Sequence, residues 1–162
     1  MPSLLRTDRD ITEIYNRHVD TVYRVCYSFM KNQTETEDMV QETFLKLLRS
    51  GKMFESEQHE KAWLIVTASN LCKDSLKKWW RKSEDIDDPG LALHHPPFEI
   101  NEVLSAILEL PADYKAAVYM HYYEGYSAAE IARLCRCPQT TIRSRLMRAR
   151  KMLKNKLGGD FR

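Results

Sequence analysis

Acidic residues vanish from one long stretch of this chain. Between Ile131 and Gly159 there is no Asp or Glu, while Arg and Lys recur nine times. The other scarcities are global. Five Gly and six Pro in 162 residues argue against a fibrous or low-complexity protein. Uninterrupted apolar runs last only a few residues, which leaves no stretch for a membrane-spanning helix. The opening MPSLLRTDRDITEIY lacks the apolar core of a signal peptide, so the expected location is the cytoplasm. Four cysteines then read as thiols in a reducing compartment. Cys135-x-Cys137 is too tightly spaced for a zinc knuckle, and no second pair lies downstream. His18, His59, His94, His95 and His121 form no H-E-x-x-H pattern, and there is no glycine-rich phosphate loop. No metal, cofactor or small-molecule substrate is expected, and an enzyme is the weakest reading.

The net charge of +2 hides a strong segregation. Residues 1–82 carry 14 basic and 12 acidic side chains; residues 100–162 carry 11 and 6. Residues 83–99 (SEDIDDPGLALHHPPFE) carry five acids, no base and three of the prolines. The composition predicts two domains, 1–82 and 100–162, joined by a flexible acidic linker at 83–99.

Helical periods run everywhere and no convincing strand alternation appears, so the fold class is all-α, with two small helical domains. In 11–30 the apolar set is Ile11, Ile14/Tyr15, Val19, Val22/Tyr23, Cys26 and Phe29/Met30. Thr34-x-x-Glu37 has the form of a capping box. The helix after it turns Met39/Val40, Phe44 and Leu47/Leu48 inward and Asp38, Gln41, Glu42 and Lys46 outward. Gly51 ends it, and GKMFESEQHE is a loop. A helix from about Glu60 to Lys82 follows, with Leu64, Thr67/Ala68, Leu71, Ser75 and Trp79 inward. It carries all three tryptophans among Lys61, Lys73, Lys77, Lys78, Arg81 and Lys82. Basic residues interleaved with rings suit single-stranded nucleic acid, at about 1–3 kcal/mol per stacked base, although Trp63 reads as a core residue.

In the second domain, Ile100 to Glu109 is a short helix with Val103, Leu104, Ile107 and Leu108 inward. Pro111 opens the next, ADYKAAVYMHYYE, and Gly125 is placed as its C-cap. Ser127-x-x-Glu130 is a second capping box, CRC a tight turn, and Pro138 a first-turn residue. Ile142, Leu146, Ala149 and Leu153 then recur at spacings of four, three and four. Two capped helices joined by a short turn make a helix-turn-helix. Its second helix presents Gln139, Thr140, Thr141, Arg143, Ser144, Met147 and Arg148, groups of the kind that read base edges in a major groove. Arg150, Lys151 and Lys154 suit phosphates. A solvated basic face on a structural hairpin is the plainer alternative. The capped pair, the polar N-terminal half and the missing acid together favour duplex DNA.

TETEDMVQETFLKLL followed by KAWLIVTASNLCKDSLKK resembles region 2 of the extracytoplasmic-function (ECF) sigma factors of bacterial RNA polymerase. LPADYKAAVYMHYYEGYSAAEIARLCRCPQTTIRSRLMRARKML resembles their region 4. The resemblance implies core RNA polymerase, through its largest subunits, as a partner docked on Asp38, Gln41 and Glu42. It implies promoter DNA in duplex form at −35, on Gln139, Thr140, Thr141, Arg143, Ser144, Met147, Arg148, Arg150 and Lys151. It further implies single-stranded DNA at −10, on Phe54, Glu55, Ser56, Lys61, Trp63, Asn70, Lys73 and Lys77, the middle acidic segment inside the polymerase channels, and an anti-sigma factor as regulator. His121 stands where the family often has Arg. Arg136 stands where Gly is frequent, so the turn either avoids a left-handed conformation or tolerates some strain. The rival reading is a conventional helix-turn-helix regulator that binds an operator without polymerase and uses 1–82 as a sensor or dimerisation domain.

Overall fold

A computed structural model describes residues 8–82 and 101–157, helical through most of their length and divided into two compact units. The 83–99 segment lies outside the described residues, as do the side chains of Trp79 and Trp80.

The first unit is three mutually packed helices, α1 (Asp8–Met30), α2 (Gln33–Ser50) and α3 (Glu57–Lys82). The apolar period of α1 does what it predicts: Ile14, Val22, Tyr23, Cys26 and Phe29 are buried, while Ile11, Val19 and Met30 at the stripe's margin are half-buried and Tyr15 is exposed. Lys31 then adopts a left-handed conformation (φ 63°), which turns the chain within two residues.

The start of α2 differs from the expected box at Thr34. Asn32 is the N-cap, and its Oδ1 accepts the Glu35 N–H at 2.8 Å. Asn32-x-x-Glu35 has the same spacing as Thr34-x-x-Glu37, and Asn caps at least as well as Thr, so the helix gains two residues. Val40, Phe44 and Leu47 pack inward, whereas Leu48, expected with Leu47, is 44% exposed. Gly51 sits in the left-handed region (φ 63°) as the C-cap. Only 51–56 is loop; α3 begins at Glu57, ahead of the expected Glu60, because the Ser56 hydroxyl accepts the His59 N–H at 3.1 Å.

Beneath these caps α1 and α3 are tied by a polar cluster in which His18 and Glu60 are buried and Arg17 reaches in from the surface. Arg17 Nη1 donates to Glu60 Oε1 at 2.9 Å, and His18 Nε2 lies 2.7 Å from the same oxygen. A carboxylate only accepts, so neutral His18 carries its proton on Nε2. Its Nδ1 is then a bare acceptor, buried without a partner. Burial lowers the His18 pKa from 6.5 against the opposing pull of Glu60, with Arg17 and Lys61 assisting the decrease.

The second unit holds α4 (Glu102–Leu108), α5 (Ala112–Val118), a π turn (Tyr119–Tyr123), α6 (Ala128–Cys135) and α7 (Gln139–Leu157). Asn101 caps α4 by accepting the Leu104 N–H at 2.8 Å. Leu104 and Ile107 are fully buried, with Val103 and Leu108 at their edge. Pro111 and Pro138 each stand one residue before their helix, at the N-cap rather than in the first turn.

The helix expected through 112–124 is not uniform. Its second half widens, with Glu124 N–H bonding to Tyr119 O five residues back and Tyr126 N–H to Met120 O. Gly125 ends it at φ 80°, the left-handed cap its position predicts.

Candidate nucleic-acid interface

Three local devices hold the pair α6–α7. At its entry the capping box is complete: the Ser127 hydroxyl accepts the Glu130 N–H at 3.1 Å, and the Glu130 carboxylate accepts the Ser127 N–H at 3.2 Å. Between the helices Arg136 is left-handed (φ 52°), with Cys137 N–H on Ala132 O at 3.0 Å and Arg136 N–H on Arg133 O at 3.4 Å. That is a Schellman ending built on Arg where Gly is the usual occupant, so the turn accepts the strain and does not avoid it. Third, Ile142, Leu146, Ala149 and Leu153 are all buried and form one row along α7, bedded on α4, α5 and α6.

Burying that row decides what faces water. At 100° per residue, the positions two before each core residue lie nearly opposite it. They are Thr140, Ser144, Met147 and Lys151, flanked by Gln139, Arg143, Arg148 and Arg150. Gln139, Thr140, Arg143, Met147, Arg148, Arg150 and Lys151 are exposed, and Thr141 and Ser144 half-buried. Every residue expected on this face is thus on one helix and reachable from solvent.

Two contributors come from outside the motif. Asp113 and Tyr114, at the start of α5, line a shallow recess with Thr140, Thr141, Ser144, Arg145 and Arg148. Their place beside α7 depends on how α5 packs, which no local pattern announces; Arg145 lay in view within the basic stretch. An acid therefore does border the basic face, although none lies within 131–159. In the same unit, His121 Nδ1 meets the Tyr126 carbonyl at 2.8 Å, so this ring is engaged with backbone. Burial and the neighbouring Glu124 and Glu130 push the Tyr126 phenol up to about 12, and it stays protonated.

In the first unit, the loop after α2 folds back on α3. Phe54 and Trp63 have ring centroids 5.8 Å apart, His59 meets Phe54 edge-on at 5.4 Å, and the Lys52 ammonium stands 5.9 Å from the Trp63 ring. Trp63 is half-buried, not a core residue, because α3 packs on α1 and α2 through Leu64, Ile65 and Ala68, one turn-face away. Trp63, Asn70, Lys73 and Lys77 follow at spacings of seven, three and four, which places them along one face. Lys61 is about 160° round the helix from Trp63, on the side whose charge His18 feels. Glu55 and Ser56 are exposed in the loop, with Ser56 occupied as the α3 cap. Lys52 and His59 were not expected; their adjacency to Phe54 in the chain was the available signal.

On α2, Asp38, Gln41 and Glu42 are clustered on the outer side of the helix, and Leu45 and Leu48 continue the same stripe as exposed apolar residues. Among the described residues no group of three or more His, Cys, Asp or Glu is placed to hold a metal, and no helix is long and apolar enough to cross a membrane.

Sequence comparisons converge on one family. The description "Sigma-70 region 2" matches residues 14–82, and "Sigma-70, region 4" matches residues 100–153. The ECF RNA polymerase sigma-E factor of Haemophilus influenzae is 35% identical over 144 residues, 78% of this chain and 76% of that protein. The ECF RNA polymerase sigma factor SigM of Bacillus subtilis is 32% identical over 155 residues, 89% of this chain and 93% of that protein. Among solved structures, the sigma factor RpoE from Bartonella quintana, crystallised with the anti-sigma factor NepR, matches with a TM-score of 0.74. It is 24% identical and covers 94% of this chain and 99% of that one, a likeness of fold.

Proposed function

The chain belongs to the sigma-70 family as an ECF RNA polymerase sigma factor, and from that premise we propose how its surfaces divide the work of promoter selection. Its function is to give core RNA polymerase its promoter specificity, and in our reading it performs no covalent chemistry and works in the cytoplasm. The observation that carries the division is the outward face of α7, where hydrogen-bonding and cationic side chains stand opposite a completely buried row.

On this reading α7 lies in the major groove of the −35 element. Gln139, Thr140, Thr141, Arg143 and Ser144 address base edges from its N-terminal half, with Met147 and Arg148 continuing along the groove. Arg150 and Lys151 sit on flanking phosphates, where each displaces counterions. The capping box and the Schellman turn fix the angle between α6 and α7, so that docking one sets the other.

The −10 element falls to the first unit. Phe54 and Trp63 form an aromatic pair at the mouth of the 51–56 loop, and Asn70, Lys73 and Lys77 run from it along α3. That arrangement suits a base lifted from the stack, with the strand leading from it held by charge. Unstacking a base costs a few kcal/mol, which ring stacking of about 1–3 kcal/mol and loop contacts offset. Core polymerase docks on Asp38, Gln41 and Glu42, with the two exposed leucines as the apolar part of that contact. The acidic segment 83–99 is suited to the basic interior of the polymerase, and an anti-sigma factor is the expected regulator.

The test is binding of holoenzyme to a −35 duplex and its single-base variants. Arg143→Ala should weaken binding by about 1–3 kcal/mol and relax selectivity at one position. Uniform loss across variants would make Arg143 a phosphate contact. Tight, selective binding of an operator by the chain alone, as a homodimer, would favour a conventional regulator instead.

A further inference from the structure

The outermost row of α7 contains one side chain that solvent alone does not explain. Thr140, Ser144, Met147 and Lys151 lie opposite the buried row, and three of the four are polar or charged. Met147 is 55% exposed in the middle of this row, with Arg143 and Lys151 one turn to either side and Arg148 adjacent. An unbranched thioether there gains nothing from the core of the unit, which Ile142, Leu146 and Ala149 already fill from the other side of the helix. Its neighbours are cations that suit a polyanion.

A major groove offers hydrogen-bond donors and acceptors on every base pair but a single apolar group, the 5-methyl of thymine. We propose that Met147 is a specificity residue that reads a thymine methyl in the −35 element. The proposal rests on the placement of α7 in the −35 groove, and adds the base that one of its side chains selects. Met147 has the reach and the softness that such a contact requires. Three rotatable bonds and a polarizable sulfur let it settle on a methyl without a fixed geometry. The apolar contact also dries the neighbouring hydrogen bonds from Arg143, so the two side chains should act together.

The experiment is a thymine-to-deoxyuracil scan, which removes only the methyl and leaves base pairing intact. Holoenzyme carrying the full chain is titrated with a −35 duplex in which each thymine, on either strand, is replaced singly. One replacement should weaken binding about three- to fivefold, the worth of one buried methyl. Met147→Ala should lose a similar factor on the natural duplex and be indifferent to that replacement. Met147→Leu should retain most of the discrimination, and Met147→Gln, of similar length, should not. Because Met147 is exposed, none of these substitutions should affect folding, which a thermal melt of each variant checks.

No effect of uracil at any position would overturn the proposal. So would a Met147→Ala protein that still discriminates thymine from uracil, since the methyl would then be read by another group. The underlying placement of α7 fails in a different way: Arg143→Ala and Lys151→Ala would leave duplex binding unchanged. If those two weaken binding while the uracil scan is flat, α7 lies in the groove but Met147 reads no thymine methyl, and the proposal is wrong.

Discussion

At the scale of single residues, the positions that matter are those where an ordinary side chain holds an unusual state. Arg136 is left-handed at the turn between α6 and α7, a conformation that costs a non-glycine residue about 1 kcal/mol or more. Arg136→Gly should therefore raise the stability of the second unit by about 1 kcal/mol, read as a shift in its denaturant midpoint. His18 is held neutral beside Glu60, with its pKa lowered mainly by burial. The unfolded chain binds a proton near 6.5 that the folded one refuses. The contribution of this group to stability is thus complete above that value and declines as pH falls below it. Denaturant melts from about pH 7.5 down to about 5 should show this decline, and His18→Gln should flatten it. The two states differ in how far the sequence revealed them. Arg136 was legible as a departure from glycine but not as a choice between strain and avoidance, because one residue does not define φ. The pairing of His18 with Glu60 spans 42 residues, and no local pattern could indicate it.

At the scale of elements, periodicity was a sound guide wherever a helix had one buried face. The row from Ile142 to Leu153 is buried as its spacing predicts, and the Ser127–Glu130 box closes in both directions. Truncating this row should be severe: Leu146→Ala should destabilise the second unit by about 2–5 kcal/mol, measured by chemical denaturation, and weaken duplex binding on all sequences alike. Boundaries were less legible. Two Asn/Thr-x-x-Glu patterns two residues apart compete for the start of α2, and Asn32, the earlier cap and at least as good a one as Thr34, takes it. The π turn at 119–123 carries no Gly or Pro to mark it, since widening a helix by one residue is settled by what its side chains meet. The same holds for the recess beside α7, where Asp113 and Tyr114 arrive by tertiary packing. On the cationic side of the helix, Lys151→Ala should reduce affinity for every duplex equally and lower the slope of log affinity against log salt by about one. An unchanged slope would remove Lys151 from the phosphate contacts.

For the whole molecule, segregation of charge along the chain is the organising fact. A net charge of +2 would describe an indifferent protein, yet the two helical units are basic where the acidic segment between them is not. A sigma factor must hold DNA with some surfaces and a polymerase with others. One chain can do both only if its charges are sorted. The most direct test is run-off transcription from a pool of genomic fragments, with purified core polymerase in the presence and absence of this chain. Discrete new start sites that require both components, sharing one −35 and one −10 sequence upstream, are the predicted result. Duplex fragments bound by the chain alone, with no new transcript when polymerase is added, would contradict it.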